Sequence, residues 1–180
     1  MKQVTLIPVP KTSNAIFSPD RRYRYVLTRI WDKTKKMCCF IGLNPSTADE
    51  IVDDNTVRRC IEYAKNWGFG MLNILNIFAI RGSNPIIIEQ VDDPVGIDND
   101  RWIAETCKAS DLVIAAWGNH GIYKDRCVKI INLVPNFHYL RLTKIGQPSH
   151  PLYLKKSLVP IPLTNDMARL ITSVNYKKRW

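Results

Sequence analysis

Mainly apolar runs recur along the chain and mark the candidate strands of the fold. They cover residues 37–41, 71–80, 112–118 and 137–142. Short runs of this kind, bounded by turn-forming residues, are typical of strands buried in a sheet. Segments of helical periodicity separate them, at residues 57–67, 101–110 and 122–133. Strands that alternate with helices predict an α/β fold, here a three-layer αβα sandwich around a mostly parallel central sheet.

The two ends of the chain carry weaker signals than the middle. Residues 23–31 alternate well enough to predict a strand, and the polar turn after them predicts a hairpin with the run at residues 37–41. The sequence predicts at best a weak edge strand, or only a covering arm, at residues 1–10, because prolines interrupt their alternation. We therefore predict a single domain over residues 1–180. Its parts are an arm and hairpin at residues 1–36, a core at 37–156 and a C-terminal extension at 157–180.

The most informative stretch is residues 39–49, Cys-Phe-Ile-Gly-Leu-Asn-Pro-Ser-Thr-Ala-Asp. An apolar run meets a glycine, then Asn-Pro, then short polar residues, which predicts a buried strand that breaks into a tight loop and a helix start. Ligands of open α/β sheets bind at the carboxyl ends of such strands. The alternative is an ordinary strand-to-helix turn capped by Ser46, Thr47 or Asp49. The residues alone leave both interpretations open.

Charge adds a candidate partner to this picture. Lys and Arg number 26 against 16 Asp and Glu, which gives a formal net charge of +10 and an isoelectric point near 9.5. Such a balance favours a polyanion such as nucleic acid, although each basic cluster is also consistent with a solvated face. The clusters lie at residues 11–29, 33–36, 124–129, 155–156 and 177–179.

The cysteines and the hydropathy of the sequence indicate the cellular compartment in which we expect the protein. The five cysteines are odd in number and lack paired metal-type spacing, so we expect reduced thiols, no metal and no cofactor. The sequence shows neither a secretory signal nor an apolar run of the roughly 18 residues that a membrane span requires. We expect a cytoplasmic monomer with no membrane association and no obligate protein partner.

Polar loops follow the predicted strands, and parallel connectivity would bring them to one edge of the sheet. They lie at residues 42–46, 76–85, 117–120 and 146–153. Asn76 lies in the otherwise apolar run at residues 71–80, and its amide must be satisfied in the interior. It therefore either holds neighbouring loop backbone or presents its amide to a ligand.

The order of these motifs resembles a known superfamily. Gly-Leu-Asn-Pro-Ser, then Leu-Asn-Ile-Phe-Ala-Ile-Arg-Gly-Ser-Asn-Pro, then a strand that ends in Trp-Gly, then Ser-His-Pro-Leu-Tyr is similar to the uracil-DNA glycosylase-like superfamily. More closely, Gly-Leu-Asn-Pro-Ser-Thr-Ala-Asp with Asp-Asp-Asn-Thr after it resembles a microbial domain family of unknown function. The resemblance spans residues 40–153 and implies a uracil-DNA-glycosylase-like fold.

The resemblance also implies a role for individual residues. Asn44 would orient the attacking water, although its side chain can instead cap the turn at residues 46–49. His150 would donate a hydrogen bond to the departing base, although it can instead be a satisfied loop histidine. Asn76 would hydrogen-bond the edge of a flipped base. Further residues implied at the base are Phe78 and Trp117, and those implied at the phosphates are Ser46, Arg81, Ser83, Lys144 and Ser149.

The chain also departs from the pattern of that superfamily. Asn44 stands where the strongest uracil-excising members have an aspartate, and no phenylalanine follows it at the usual place for stacking on the base. Phe78, Trp117 or Tyr153 would have to substitute. The acidic group Asp49, Asp53 and Asp54 either supplies the missing catalytic carboxylate, for which we select Asp49 and Asp53, or caps a helix.

The function that the resemblance implies is hydrolysis of the N-glycosidic bond of a flipped pyrimidine or modified base, on DNA more readily than on RNA. Two other classes fit the same residues. One is a catalytically silent module that binds nucleic acid or a nucleotide, with salt-sensitive affinity. The other is a hydrolase or transferase for a small nucleotide-like metabolite, with the acidic group as the base.

Overall fold

The computed structural model describes residues 12–173, and the strands of this part form one seven-stranded sheet in the order β1-β2-β4-β3-β5-β6-β7. Their bounds are β1 Thr12–Phe17, β2 Arg24–Ile30, β3 Met37–Gly42, β4 Met71–Asn76, β5 Leu112–Ala115, β6 Phe137–Tyr139 and β7 Ile161–Pro162. The arm predicted at residues 1–10 and the basic tail at 177–179 lie outside the described residues.

The centre of the sheet is parallel and its margins are antiparallel. Strands β4, β3, β5 and β6 run in the same direction, whereas β2 pairs antiparallel with both β1 and β4, and β7 pairs antiparallel with β6. The predicted α/β fold with a mostly parallel sheet is therefore confirmed. Because β7 pairs with β6 at the edge of the same sheet, the predicted C-terminal extension from residue 157 is partly integrated into the domain.

The predicted hairpin between β2 and β3 is wrong. Strand β4 lies between them, so that Ile74 is the partner of Leu27 on one side and of Phe40 on the other. The reason is burial, since five of the six residues of β4 are buried and such a strand is most stable between two neighbours. Strand β2 pairs instead with β1, a strand that the sequence analysis did not predict.

Helices cover both faces of this sheet. Their bounds are α1 Asn55–Asn66, α2 Ile87–Gln90, α3 Asn99–Lys108, α4 Arg126–Leu133 and α5 Asn165–Thr172, with 3₁₀ turns at Asn119–Asp125 and Pro151–Tyr153. Helix α4 begins later than predicted because Lys124 and Asp125 adopt positive φ angles of 50° and 53°. Over residues 12–173, every helix falls short of the length and apolar character needed to cross a membrane.

Each face of the sheet has its own hydrophobic core. On one face, α1 packs Val57, Cys60 and Ala64 against β3 and β4, and the rings of Tyr63 and Trp67 stack 5.2 Å apart. The opposite core contains Ile103 of α3, Ile130 of α4 and Ile171 of α5. All five cysteines are buried free thiols. The cores fix the strands and leave the loops at the strand ends to form the site.

Candidate functional site

A cleft of about 750 Å³ opens at the carboxyl ends of β3, β4 and β5. Backbone hydrogen bonds join the loops around it, from Gly82 N to Pro45 O at 2.8 Å and from Gly118 N to Pro148 O at 2.7 Å. Eight of the predicted site residues line this cleft. They are Asn44, Ser46, Asn76, Ser83, Trp117, Lys144, Ser149 and His150. The parallel topology therefore brings these eight residues together at one edge of the sheet, as expected from parallel connectivity.

Asn44 ties the loop after β3 to the loop after β4. Its side-chain Nδ2 donates to the backbone oxygens of Pro45, at 3.2 Å, and of Gly82, at 2.9 Å. Two carbonyl acceptors fix which end of the amide is nitrogen, because a carbonyl cannot donate. The Oδ1 atom of Asn44 is left as an acceptor for a ligand or water. Ser46 and Ser83 meet at the same junction, with their Oγ atoms 3.4 Å apart.

Asn76 lies at the last position of β4, directly beside Gly42 of β3. A Cβ atom on Gly42 would lie only 2.9 Å from Asn76 Nδ2, so the glycine makes room for this amide. Asn76 Oδ1 accepts a hydrogen bond of 3.2 Å from Arg24 Nη2. Among the described residues, Nδ2 has no hydrogen-bond acceptor, which leaves it as a donor for a ligand.

Arg24 is a cleft residue that the sequence analysis missed. Its side chain is 3% exposed, and besides Asn76 it donates from Nη1 to Ala48 O at 2.9 Å. Its Nε is buried with no hydrogen-bond partner among the described residues. Burial lowers the pKa of Arg24 to about 10, against the opposing effect of Asp54, and the group remains a cation at neutral pH.

His150 presents a neutral imidazole to the cleft. It precedes the 3₁₀ turn Pro151–Tyr153, and its Nδ1 accepts a hydrogen bond of 3.4 Å from Leu152 N. Burial lowers the pKa of His150, and the carboxylate of Asp54 acts in the opposite direction. Since Nδ1 is an acceptor, the proton of the neutral ring is on Nε2, which is therefore a donor.

Asp54 is the carboxylate of the cleft, the sole one among the described residues that line it. Its Oδ1 accepts a hydrogen bond of 2.8 Å from Val57 N and so caps α1, which confirms the capping alternative for this residue. Its other carboxylate oxygen has no hydrogen-bond donor within residues 12–173, which leaves it for a ligand or a water molecule. Its charge acts on both Arg24 and His150.

The two acids selected as catalytic, Asp49 and Asp53, do not line the cleft. Asp49 Oδ1 accepts hydrogen bonds of 2.8 Å from Ile51 N and Val52 N, and these hydrogen bonds lower the pKa of Asp49. Asp53 Oδ1 forms an ion pair of 2.7 Å with the fully buried Arg29. Both carboxylates shape the loop after β3, so the prediction that they lie at the site with the other selected residues is wrong, and the acidic residue in the cleft lining is Asp54.

Two other predicted contacts also lie outside the cleft lining. Phe78 is fully buried and packs against the ring of Tyr123 and the guanidinium of Arg126, so a base has no access to its face. Arg81 places its guanidinium 4.9 Å from the ring of Phe17 and is not among the residues that line the cleft. Both positions follow from the path of the chain after β4. Residues 77–80 are buried in the core, and the chain becomes partly exposed only at Arg81.

Trp117 contributes to the wall of the cleft and is itself 1% exposed. Its Nε1 donates to Gln147 Oε1 at 3.1 Å, and Gln147 Nε2 donates to Ile171 O at 2.9 Å, which links the cleft to α5. Gly118 follows with φ 71° and ψ −168°, a backbone conformation that essentially requires glycine.

The mouth of the cleft is basic and carries an exposed aromatic ring. Arg141 and Lys144 are exposed at its rim, and Tyr153 is 84% exposed with its ring centroid 5.7 Å from that of His150. Within residues 12–173, no group of three or more His, Cys, Asp and Glu side chains is arranged to hold a metal ion.

The comparisons with known proteins give a family and no activity. A family model described as "Protein of unknown function (DUF1643)" matches residues 24–152, which include every residue that lines the cleft up to Leu152. No curated protein and no solved structure matched the chain.

Proposed function

The chain belongs to the DUF1643 family, and we propose from the chemistry of its cleft that it is an N-glycosyl hydrolase of the DNA glycosylase type, with a uracil-DNA-glycosylase-like fold. The observation that carries this proposal is that the amides of Asn44 and Asn76 and the neutral imidazole of His150 line one cleft. They lie far apart in the sequence, and a cleft of about 750 Å³ has room for a nucleotide.

The leaving base is stabilised by neutral donors in this scheme. Hydrolysis breaks the bond between the sugar C1′ and the base nitrogen, and the base departs with the electron pair as negative charge develops on it. His150 Nε2 and Asn76 Nδ2 donate hydrogen bonds to the acceptor atoms of the base. Donors already in place stabilise that charge more in the transition state than in the ground state.

Asn44 and Asp54 act on the attacking water in this scheme. Asn44 Oδ1 accepts a hydrogen bond from the water, because its Nδ2 is already bound to two carbonyls. The free oxygen of Asp54 accepts the water proton as the new bond to C1′ forms, and the anionic base is then protonated from solvent. In this scheme Asp54 takes the place of the aspartate that the strongest uracil-excising members have at the position of Asn44.

The rim suits a nucleic-acid backbone on either side of an extruded nucleotide. Arg141 and Lys144 supply positive charge, and Ser46, Ser83 and Ser149 supply hydroxyl groups close to it. Tyr153 is exposed beside His150, where its ring can fill the gap that the extruded base leaves in the stack.

The test is the release of base from oligonucleotides, followed as abasic-site formation over a panel of deaminated, oxidised and alkylated bases. We expect Asn44→Ala and His150→Ala each to lower the rate on the order of 100-fold on the best substrate. The matched control is Asn132→Ala, which removes an exposed amide of α4 that does not line the cleft. Release of no base by the wild-type protein from any member of the panel would refute the proposal.

A second candidate is a hydrolase or transferase for a small nucleotide-like metabolite. The observation that favours it is the buried cation Arg24 in the lining of the cleft, which can pair with the anionic group of a small ligand held there. Asp54 would again be the base. Turnover of free nucleosides or nucleotides, with none of oligonucleotides, would establish this candidate in place of the first.

A further inference from the structure

We propose that Arg24 forms an anion subsite in the cleft, and that the ligand of this protein carries a phosphate or carboxylate group that binds there. The inference rests on the proposed function only in taking the cleft as the binding site, and it holds for either of the two candidate reactions.

The first step of the argument is the incomplete hydrogen bonding of Arg24. Its guanidinium makes two hydrogen bonds, to Ala48 O and Asn76 Oδ1, and Nε is buried without an acceptor among the described residues. An arginine has more N–H groups than these two bonds employ. The unused donors of a buried group carry a desolvation cost that a ligand with paired oxygens removes.

The second step is the charge of the same group. Within the described residues, Arg24 has no carboxylate within ion-pair distance, whereas the buried Arg29 and Arg126 each have one. A buried cation without a counterion is unfavourable, and such groups are normally paired. Arg24 also lines an open cleft, so an anionic ligand can supply the missing counterion.

The third step concerns the neighbours of Arg24. The nearby cations Arg29 and Arg81 add to the positive potential at Arg24, and the carboxylates of Asp54 and Asp49 reduce it. Asp49 does not line the cleft, and Asp54 has one oxygen committed to the cap of α1. Asn76 Oδ1 accepts a hydrogen bond from Arg24 Nη2 and so holds the guanidinium in position at the cleft.

The geometry therefore favours a planar or tetrahedral anion with two adjacent oxygens. Arginine binds carboxylate and phosphate through paired N–H groups, and the two ligand classes share this chemistry. Hydrogen bonds to charged groups are strong enough to give about a tenfold or greater preference for an anion over its neutral counterpart.

The experiment is calorimetric binding to the full chain at about 0.15 M salt, where the general positive charge of the surface is largely screened. The probes are uridine 5′-monophosphate against uridine, orotate against uracil, and inorganic phosphate alone. The variants are Arg24→Gln, Arg24→Lys, and the control Arg101→Gln, which removes an exposed arginine of α3 outside the cleft lining.

We expect the wild-type protein to bind at least one anionic probe about tenfold or more tightly than its neutral counterpart. Arg24→Gln should abolish this preference, Arg24→Lys should retain part of it, and Arg101→Gln should leave it unchanged. Preference within the nucleotide pair identifies phosphate as the group that is bound, and preference within the pyrimidine pair identifies carboxylate.

A second measurement keeps the proposal testable if Arg24→Gln does not fold. The Nε–H resonance of Arg24 can be assigned by its loss in Arg24→Lys and followed in the wild-type protein, and it should shift as the anionic probe is added. Equal affinity of the wild type for charged and neutral probes, a preference that survives Arg24→Gln, or an unmoved resonance would each overturn the subsite. Failure of base release alone would refute the glycosylase proposal and leave the anion subsite standing.

Discussion

Two arginines on strand β2 anchor the loop after β3, and they are satisfied in different ways. Arg29 is 0% exposed and pairs with the carboxylate of Asp53 at 2.7 Å. Arg24 is 3% exposed and donates only to the neutral oxygens of Ala48 and Asn76. The two side chains have the same chemistry and nearly the same burial, and they differ in whether a counterion is built into the protein.

The difference separates a structural arginine from one that is available to a ligand. Arg29 contacts Asp53 and the backbone oxygen of Asp49, so its role is complete within the folded chain. Arg24 lines the cleft and retains an unbonded Nε. Burial alone therefore does not mark a candidate binding residue, whereas burial without a counterion in the lining of a cleft does.

The largest expected effect comes from substitution of Arg29, the arginine whose counterion is part of the protein. Arg29→Met removes the buried ion pair with Asp53 and the hydrogen bond to Asp49 O, which should lower the free energy of unfolding by about 3–5 kcal/mol. Urea denaturation of the variant measures this loss. Arg24→Met is the matched control, and we expect it to lose less than half as much, because the change removes a buried cation that has no carboxylate partner. Equal losses in the two variants would contradict the comparison.

A smaller effect tests whether Asn76 and Arg24 act together. Gly42→Ala places a Cβ 2.9 Å from Asn76 Nδ2, which should displace the amide and lower the free energy of unfolding by about 1–3 kcal/mol. Binding of uridine 5′-monophosphate should weaken in the same variant. Gly68→Ala is a useful contrast, since a Cβ there meets no atom within 4 Å and its cost comes from the positive φ of 84° alone. Ligand affinity should be unchanged by that substitution.

The smallest expected effect is the pH dependence of the protein's stability that comes from His150 in the cleft. Burial lowers the pKa of His150 in the folded protein, so the unfolded chain binds more protons as pH falls through the ordinary histidine value of about 6.5. The contribution of His150 is therefore constant above that value and becomes destabilising below it. We expect the melting temperature to fall less between pH 7.5 and 5.5 in His150→Gln than in the wild type. Parallel curves for the two proteins would show that His150 is not responsible.

Much of the central fold could be predicted because the apolar residues of its strands indicate that these segments are buried. Strand β4 is apolar except for its asparagines, and the strands that end in Gly42 and at Trp117-Gly118 carry the same signal. Their shared direction was enough to predict that Asn44, Asn76 and His150 line one cleft. The hairpin was predicted wrongly because a short polar turn is a local signal, whereas the pairing of β4 with both neighbours depends on burial across the whole sheet.

The site residues that the sequence analysis missed or misplaced have one cause in common: their positions are set by contacts with distant residues, which the local sequence does not show. Arg24 occupies an alternating strand, where an arginine normally faces solvent, and only the position of Asn76 on the neighbouring strand shows otherwise. Among Asp49, Asp53 and Asp54 the sequence offers no means of choice, because the choice is made by Arg29 and by the first turn of α1. Phe78 is apolar in an apolar run and gives no signal of which face it occupies.

The position of β4 between β2 and β3 has a consequence for how the chain is assembled. As the nascent chain emerges, β2 and β3 are both synthesised before the strand that separates them, and each exposes an edge with no partner from the sheet centre until β4 arrives. Non-local pairing of this kind slows folding, and unpaired edges favour aggregation in the interval. A fragment that ends before Met71 lacks the strand that both edges require, so it cannot form the centre of this sheet even though it contains β1, β2 and β3.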